Sequence, residues 1–95
     1  MRIMAIDYGD ARTGVAISDP TGLLAGYTTV IQSRKEGVVA EELARLAKEH
    51  SVDELVMGFP RNMDGTEGPR AELYRAFAAR DWVRDYAVFR AFKKE

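Results

Sequence analysis

The stretch MRIMAIDYGDARTGVAIS, Met1–Ser18, contributes most to determining the fold. Its first apolar run ends at Asp7 and is typical of a strand buried on both faces, which we expect over Arg2–Asp7. Residues 8–12 are predicted to turn, and Gly14–Ser18 to form a second strand. Because the connection is so short, the two strands are expected to form an antiparallel hairpin.

Two further strands and a helix follow the hairpin. Gly26–Gln32 is rich in β-branched residues and is predicted to be the third strand. The sequence Ser33-Arg34-Lys35-Glu36 matches a capping box with Ser33 as the N-cap, and the helix behind it is expected to run to about His50. A fourth strand over Asp53–Gly58 follows, and the connecting helix predicts that it lies parallel to an earlier strand.

The last third of the chain is predicted to be a loop followed by helices. Residues 59–69 form a loop at the carboxyl end of a strand, the place where open α/β sheets bind ligands. Arg70–Arg80 is expected to be helical, and Trp82, Tyr86 and Phe89 continue at helical spacing. The sequence therefore predicts one α/β unit: a mixed sheet of three antiparallel strands plus a parallel fourth, with two or three helices.

The composition excludes several classes of protein. The chain has 95 residues, of which 46% are hydrophobic and 31% charged, as in ordinary globular domains. No apolar run is long enough to span a membrane, and the N-terminus lacks the pattern of a signal peptide. Cysteine is absent, which excludes a disulfide scaffold, a zinc ribbon and a thiol nucleophile. We expect a cytoplasmic protein.

Charge is distributed unevenly along the chain. The formal net charge is −1, but residues 1–69 carry an excess of acidic side chains and residues 70–95 an excess of basic ones. A basic segment can contact nucleic acid, although such a segment is more often the solvated face of a helix.

The sequence Asp7-Tyr8-Gly9 is the first candidate for chemistry. A carboxylate at a strand end beside glycine is suited to Mg²⁺, which prefers one or two carboxylates plus phosphate oxygens; the alternative is that Asp7 only caps the turn. The same hairpin occurs in metal-dependent nucleases and in the phosphate loop of actin-like ATPases. The ATPases need two such domains to enclose a nucleotide, so the length of this chain favours the nuclease.

Two stretches, MRIMAIDYGDARTGVAISDP and VMGFPRNMDGTEGPRA, resemble the YqgF (RuvX) family over about residues 1–80. These are RNase H-like proteins of pre-16S rRNA processing, once regarded as Holliday junction resolvases. The resemblance implies an RNase H-like fold and a Mg²⁺- or Mn²⁺-dependent nuclease that takes part in 5′-end processing of pre-16S rRNA and so in ribosome biogenesis. The substrate would be structured RNA or branched DNA.

The resemblance also implies site residues. Asp7 matches the metal ligand of the first strand and would be both catalytic and metal-binding. Phosphate or nucleic acid would be bound by residues in and around the signature loop: Arg61, Asn62, Asp64, Gly65 and Arg70. Arg70 would lie in the first turn of a helix, where free N–H groups also favour anions, but it could instead pair with Glu67 or Glu72.

This sequence departs from the family after residue 80. The family continues with a fifth strand, a D-E-R-L-T-T motif that supplies a catalytic Glu, and a C-terminal helix with a further Asp, and none of these motifs is present. We therefore expect a core over residues 1–80, truncated relative to the family, and an unmatched aromatic and basic helix over 81–95. Loss of the fifth strand would leave the strand at Asp53–Gly58 with an open edge, which either the aromatic tail covers or a second chain completes; we expect a homo-oligomer.

Three hypotheses about function remain. Several carboxylates are needed for two-metal hydrolysis, and only Asp7 is matched. Asp10 and Asp19 are expected to be turn residues, Asp64 is an open candidate, and His50 is expected to be a helix-end residue. The chain is therefore predicted to be a nuclease or, alternatively, a non-catalytic nucleic-acid-binding or dimerisation module. The third hypothesis is an ATPase fragment, which would bind nucleotide without binding nucleic acid.

Overall fold

The computed structural model describes residues 1–61, 79–80, 82–83 and 86–94, and these contain five strands and one helix. The helix, α1, spans Glu36–Glu49. The strands are β1 (Ile3–Asp7), β2 (Arg12–Ser18), β3 (Ala25–Gln32), β4 (Glu54–Arg61) and β5 (Ala87–Lys94). They form one sheet in the order β3-β2-β1-β4-β5.

The sheet is mixed. β1 pairs antiparallel with β2 and β2 antiparallel with β3, whereas β4 lies parallel to β1. α1 connects β3 to β4, two parallel strands on opposite sides of the hairpin, as the usual crossover requires. The predicted arrangement of three antiparallel strands and a parallel fourth is therefore confirmed.

The core lies between α1 and one face of the sheet. Met4, Ile17, Leu43 and Leu55 are almost completely buried there, because alternate strand residues point to α1 and the helix presents an apolar stripe every three to four residues. Val83 joins the same core, with Trp82 and Tyr86 packed against it. These three residues therefore lie on the α1 side of the sheet. Within the described residues, no helix is long and apolar enough to cross a membrane.

The start of α1 differs from the prediction. The N-cap is Lys35, and no side chain caps the helix. Ser33 Oγ instead accepts a hydrogen bond from the N–H of Lys35 at 3.1 Å, two residues on. Ser33 therefore forms a local turn before the helix, a known competitor of capping, and the predicted capping box is wrong.

The C-terminal segment also differs from the prediction. Residues 87–94 were expected to be helical, and they form β5, parallel to β4. The sequence AVFRAF contains valine and two phenylalanines, which are common in strands. As a strand, this segment also gives the backbone N–H and C=O groups of β4 hydrogen-bond partners, which a helix could not provide. A fifth strand is therefore present, and the C-terminal tail covers the edge of β4, which is one of the two expected alternatives, although as a strand and not as the predicted helix.

β4 is longer than expected. The predicted loop begins at Phe59, but the strand continues to Arg61. β1 ends at Asp7, so the last residues of β4 pair with β5 on one side and have no partner in β1 on the other. Pro60 is tolerated there because its missing N–H is not needed on the unpaired side. Most of the second predicted helix, residues 70–78, lies outside the described residues, while Ala79 and Arg80 lie in a turn.

Candidate functional site

Asp7 is the last residue of β1, and its side chain is exposed on the face of the sheet opposite α1. Alternation along β1 accounts for this, because Met4 and Ile6 are buried against the helix and Ala5 and Asp7 must point the other way. β4 runs parallel to β1, so the carboxyl ends of both strands lie at the same edge. The predicted strand-end position of Asp7 is confirmed.

Asp7 has a glycine on each neighbouring strand. Gly14 on β2 is its register partner, and Gly58 on β4 lies one residue beyond the last pair of the parallel ladder, Ile6 and Met57. Neither glycine carries a side chain, so neither narrows the space above the carboxylate. A ligand can therefore approach Asp7 along the sheet from both sides.

These residues line a groove of about 340 Å³ on the side of the sheet away from α1. We call this side the open face, because none of the helices among the described residues packs on it. Its side chains are small and mostly apolar, apart from Asp7. The open-face residues that line the groove are Ala5, Asp7, Gly14, Ala16, Val56 and Gly58.

The turn between β1 and β2 fixes the backbone next to Asp7. A Cβ at Gly9 would lie 2.1 Å from the carbonyl oxygen of Arg12, so no other residue fits without moving the backbone. A Cβ at Gly14 would lie 3.7 Å from Cβ of Asp7, an ordinary contact. Gly9 therefore serves the tight turn, whereas Gly14 keeps the groove open.

Asp19 is a turn residue, as predicted. Its Oδ1 accepts hydrogen bonds from the hydroxyl of Thr21 at 2.6 Å and from the N–H of Gly22 at 3.1 Å. The hydroxyl of Thr21 lowers the pKa of Asp19, so the carboxylate stays ionised and serves the β2–β3 turn.

Asp10 and His50 also occupy the positions expected of them. Asp10 lies in the turn between β1 and β2. His50 is the C-cap of α1, where its ring packs 4.6 Å from that of Tyr27.

The remaining predicted site residues are mostly not described. Arg61 is the last residue of β4, at the same end of the sheet as Asp7. Asn62, Asp64, Gly65 and Arg70 lie outside the described residues. Within the described part of the chain, no group of three or more His, Cys, Asp or Glu residues is arranged to hold a metal ion.

Sequence reasoning found Asp7 and missed the surface around it. The sequence predicts Gly58 only as the end of a strand. It predicts Ala5, Ala16 and Val56 only as strand residues, with no role in a site. The hairpin register could have identified Gly14, since the short turn fixes its partner. The neighbour on β4 depends on a parallel register that no local pattern encodes.

The order of the strands and the crossover helix α1 define the class of protein, an RNase H-like α/β domain. RuvC of Thermus thermophilus superposes with a TM-score of 0.70 at 11% identity, covering 97% of this chain and 64% of that one. A Bacteroides thetaiotaomicron protein with an actin-like ATPase fold and unknown function gives 0.65 at 11% identity, over 95% of this chain and 32% of that one. At these identities the likeness concerns the fold alone.

Sequence comparison identifies the family. The model of the RuvX family, described as Holliday junction resolvase, matches residues 1–82. A relative from Carboxydothermus hydrogenoformans, named "Putative pre-16S rRNA nuclease", is 46% identical over 78 residues, 82% of this chain and 56% of the relative. One of the same name from Ruminiclostridium cellulolyticum is 43% identical over 96 residues, 98% of this chain and 65% of the relative. The chain belongs to the RuvX family, and it spans less than two thirds of the length of these relatives.

Proposed function

We propose that the chain is a divalent-metal-dependent phosphodiesterase acting on structured RNA in the 5′-end processing of pre-16S rRNA, in the cytoplasm. The observation that carries the proposal is the position of Asp7, a strand-end carboxylate exposed in an open groove with a glycine on each side. The names of the relatives supply the substrate class, with branched DNA as the second substrate to be tested.

The chemistry of Asp7 fits a single Mg²⁺ or Mn²⁺ ion. Mg²⁺ is commonly held by one or two carboxylates, with water and substrate phosphate completing its coordination, and the groove leaves room for both. Such an ion supplies an activated water and polarises the phosphoryl oxygens. A two-ion arrangement needs further carboxylates, and the described residues offer no such cluster around Asp7.

The chain's own residues have separate roles in this proposal. Asp7 holds the ion, while Gly14 and Gly58 let the backbone of the nucleic acid come close to it. The residues proposed to bind phosphate are Arg61, Asn62, Asp64, Gly65 and Arg70. Contacts of this kind position the nucleic acid without reading its sequence, and they make binding strongly dependent on salt.

Cleavage of a structured pre-16S rRNA fragment with Mn²⁺ tests the proposal, with Asp7→Asn as the variant. Asn keeps the shape of the side chain and removes the charge that holds the ion. Asp53→Asn is the matched control: Asp53 Oδ2 accepts a hydrogen bond from the N–H of Arg2 at 2.9 Å, at the other end of β1. We expect cleavage by the wild type and by the control, and none by Asp7→Asn. Equal cleavage by all three proteins contradicts the role of Asp7.

The second candidate is a non-catalytic nucleic-acid-binding or dimerisation module. One observation favours it: no group of three or more His, Cys, Asp or Glu residues among the described residues is arranged to hold a metal ion. This candidate predicts that the wild type retains the RNA without cutting it, and that Mn²⁺ titrated into the protein gives no binding heat that depends on Asp7.

A further inference from the structure

β3 is an exposed edge of the sheet. Among the described strands it pairs with β2 and with no other. Seven of its eight residues are at least partly exposed, and Ile31 is the one that is buried. The side chains of Tyr27 and Val30 are 39% and 53% exposed. An eight-residue strand thus presents a row of backbone N–H and C=O groups that no described strand pairs.

The edge lacks the features that usually prevent two edges from pairing. Proteins protect such strands with charged residues, proline or bulges, and β3, with the sequence AGYTTVIQ, has neither a charge nor a proline. Its one irregularity lies at its beginning, opposite Ile17 and Ser18. The edge strand β5, in contrast, has the sequence AVFRAFKK and is basic.

Apolar surface continues from this edge into the preceding loop. Leu23 and Leu24 are 85% and 69% exposed. Together with Tyr27 and Val30 they account for four of the six exposed large hydrophobic residues recorded among the described residues. Such a concentration on one side of a small domain is typical of a surface that binds another protein chain.

We propose that β3 pairs antiparallel with β3 of a second copy of this chain, about a two-fold axis, to form one continuous sheet through both subunits. We choose a second copy as the partner because a two-fold axis brings the same strand of both copies together, and two uncharged strands do not repel each other. The charges at its two ends also match. Asp19 precedes the strand, Arg34 and Lys35 follow it, and antiparallel pairing brings the acidic end of one copy towards the basic end of the other.

The two-fold axis determines which side chains meet. For the two sheets to join, the axis must be perpendicular to them, so the open faces of both copies lie on the same side. Thr28 and Val30 are paired with Ala16 and Gly14, and so they belong to the open face and lie close to the axis. Both Asp7 grooves then face the same way, separated by five strand spacings, or about 24 Å. The pairing itself does not depend on the proposed nuclease function.

Light scattering coupled to gel filtration tests the proposal on the full chain. The wild type is expected to have about twice the monomer mass of 10.6 kDa, falling towards the monomer on dilution. Val30→Lys places a lysine from each copy beside the axis, where like charges repel, and the mass should halve. Val38→Lys is the matched control, because Val38 is 43% exposed and belongs to α1 and not to the pairing strand, and this variant should remain a dimer.

Two outcomes of this experiment overturn the proposal. A wild type that is monomeric at every concentration has no such interface, and a Val30→Lys variant that stays dimeric has its interface elsewhere. If circular dichroism shows Val30→Lys to be unfolded, hydrogen exchange of the wild type decides instead. Amides of β3 that exchange more slowly at high than at low protein concentration support the pairing, and unchanged exchange refutes it.

Discussion

Gly9→Ala is the substitution whose effect can be worked out most directly from the structure. Gly9 lies in the turn between β1 and β2, and a Cβ there would be 2.1 Å from the carbonyl oxygen of Arg12 and 3.3 Å from its carbon. The atoms it meets belong to the backbone, so no side-chain rotation can relieve the contact. Either the turn opens or the two strands of the hairpin shift relative to each other.

The cost can be estimated from overpacked sites in other proteins. Forcing an extra methyl group into well-packed surroundings costs about 1–3 kcal/mol, and a clash with rigid backbone belongs at the upper end of that range. A domain of this length has a free energy of unfolding of about 5–14 kcal/mol. At about 4–8 °C per kcal/mol, a loss of about 3 kcal/mol lowers the melting temperature by about 10–25 °C.

Urea unfolding followed by circular dichroism measures this effect, with Gly14→Ala as the control. The nearest atom to a Cβ at Gly14 is Cβ of Asp7 at 3.7 Å, so this methyl group fits without strain. The control should unfold within about 1 kcal/mol of the wild type, since Ala also reduces the freedom of the unfolded chain. If Gly9→Ala and Gly14→Ala unfold at the same urea concentration, the turn is not constrained as the structure indicates.

Three further predictions concern the groove, the core and the β2–β3 turn. Although Gly14→Ala keeps the fold, its methyl group lies beside Asp7, so cleavage and Mn²⁺ binding should both weaken in titrations against the wild type. Leu43→Ala removes a fully buried side chain of α1 and should cost about 2–5 kcal/mol in urea unfolding, whereas Val38→Ala, at an exposed position, should cost much less. The pKa of Asp19 in the folded protein lies below its usual value in the unfolded chain. The ionised carboxylate therefore stabilises the fold at a pH above the usual pKa, and this stabilisation is lost as the pH falls through the lowered pKa. The unfolding midpoints of the wild type and Asp19→Ala should therefore differ at neutral pH and converge in acid; a constant difference would contradict this role.

Local patterns were enough to predict most of the sheet. The apolar run ending at Asp7 and the glycine turn after it specify a hairpin within a few residues, and the structure confirms it. α1 was predicted from the spacing of its apolar residues, which Leu43 and Leu46 confirm by their burial. The capping box failed because Ser33 has two local partners available, the helix N-terminus and the N–H of Lys35, and it bonds to the second.

The C-terminal strand shows what local patterns leave out. Trp82, Tyr86 and Phe89 are spaced as on a helix, yet Phe89 lies in β5, paired with Val56. The backbone N–H and C=O groups along the edge of β4 favour a strand at residues 87–94. Because β4 is far from these residues in the sequence, the local pattern does not show this effect. The open face escaped prediction for a similar reason: its residues come from separate strands, and the register between β1 and β4 brings Gly58 to Asp7.

Folding and catalysis make different demands on a chain of this length. The core consists of buried residues from α1 and from β1 to β4, together with Tyr8, Val52 and Val83, and its members are nearly all inaccessible to solvent. The candidate site differs from the core, because Asp7 lies in a groove that is open to solvent. Substitutions in the core should therefore affect stability, while charge removal at Asp7 should affect metal binding and cleavage with little effect on the unfolding midpoint. An Asp7→Asn variant that unfolds like the wild type and fails to cut RNA assigns the chemistry to Asp7; a wild type that binds RNA and never cuts it shows that the fold persists without the reaction.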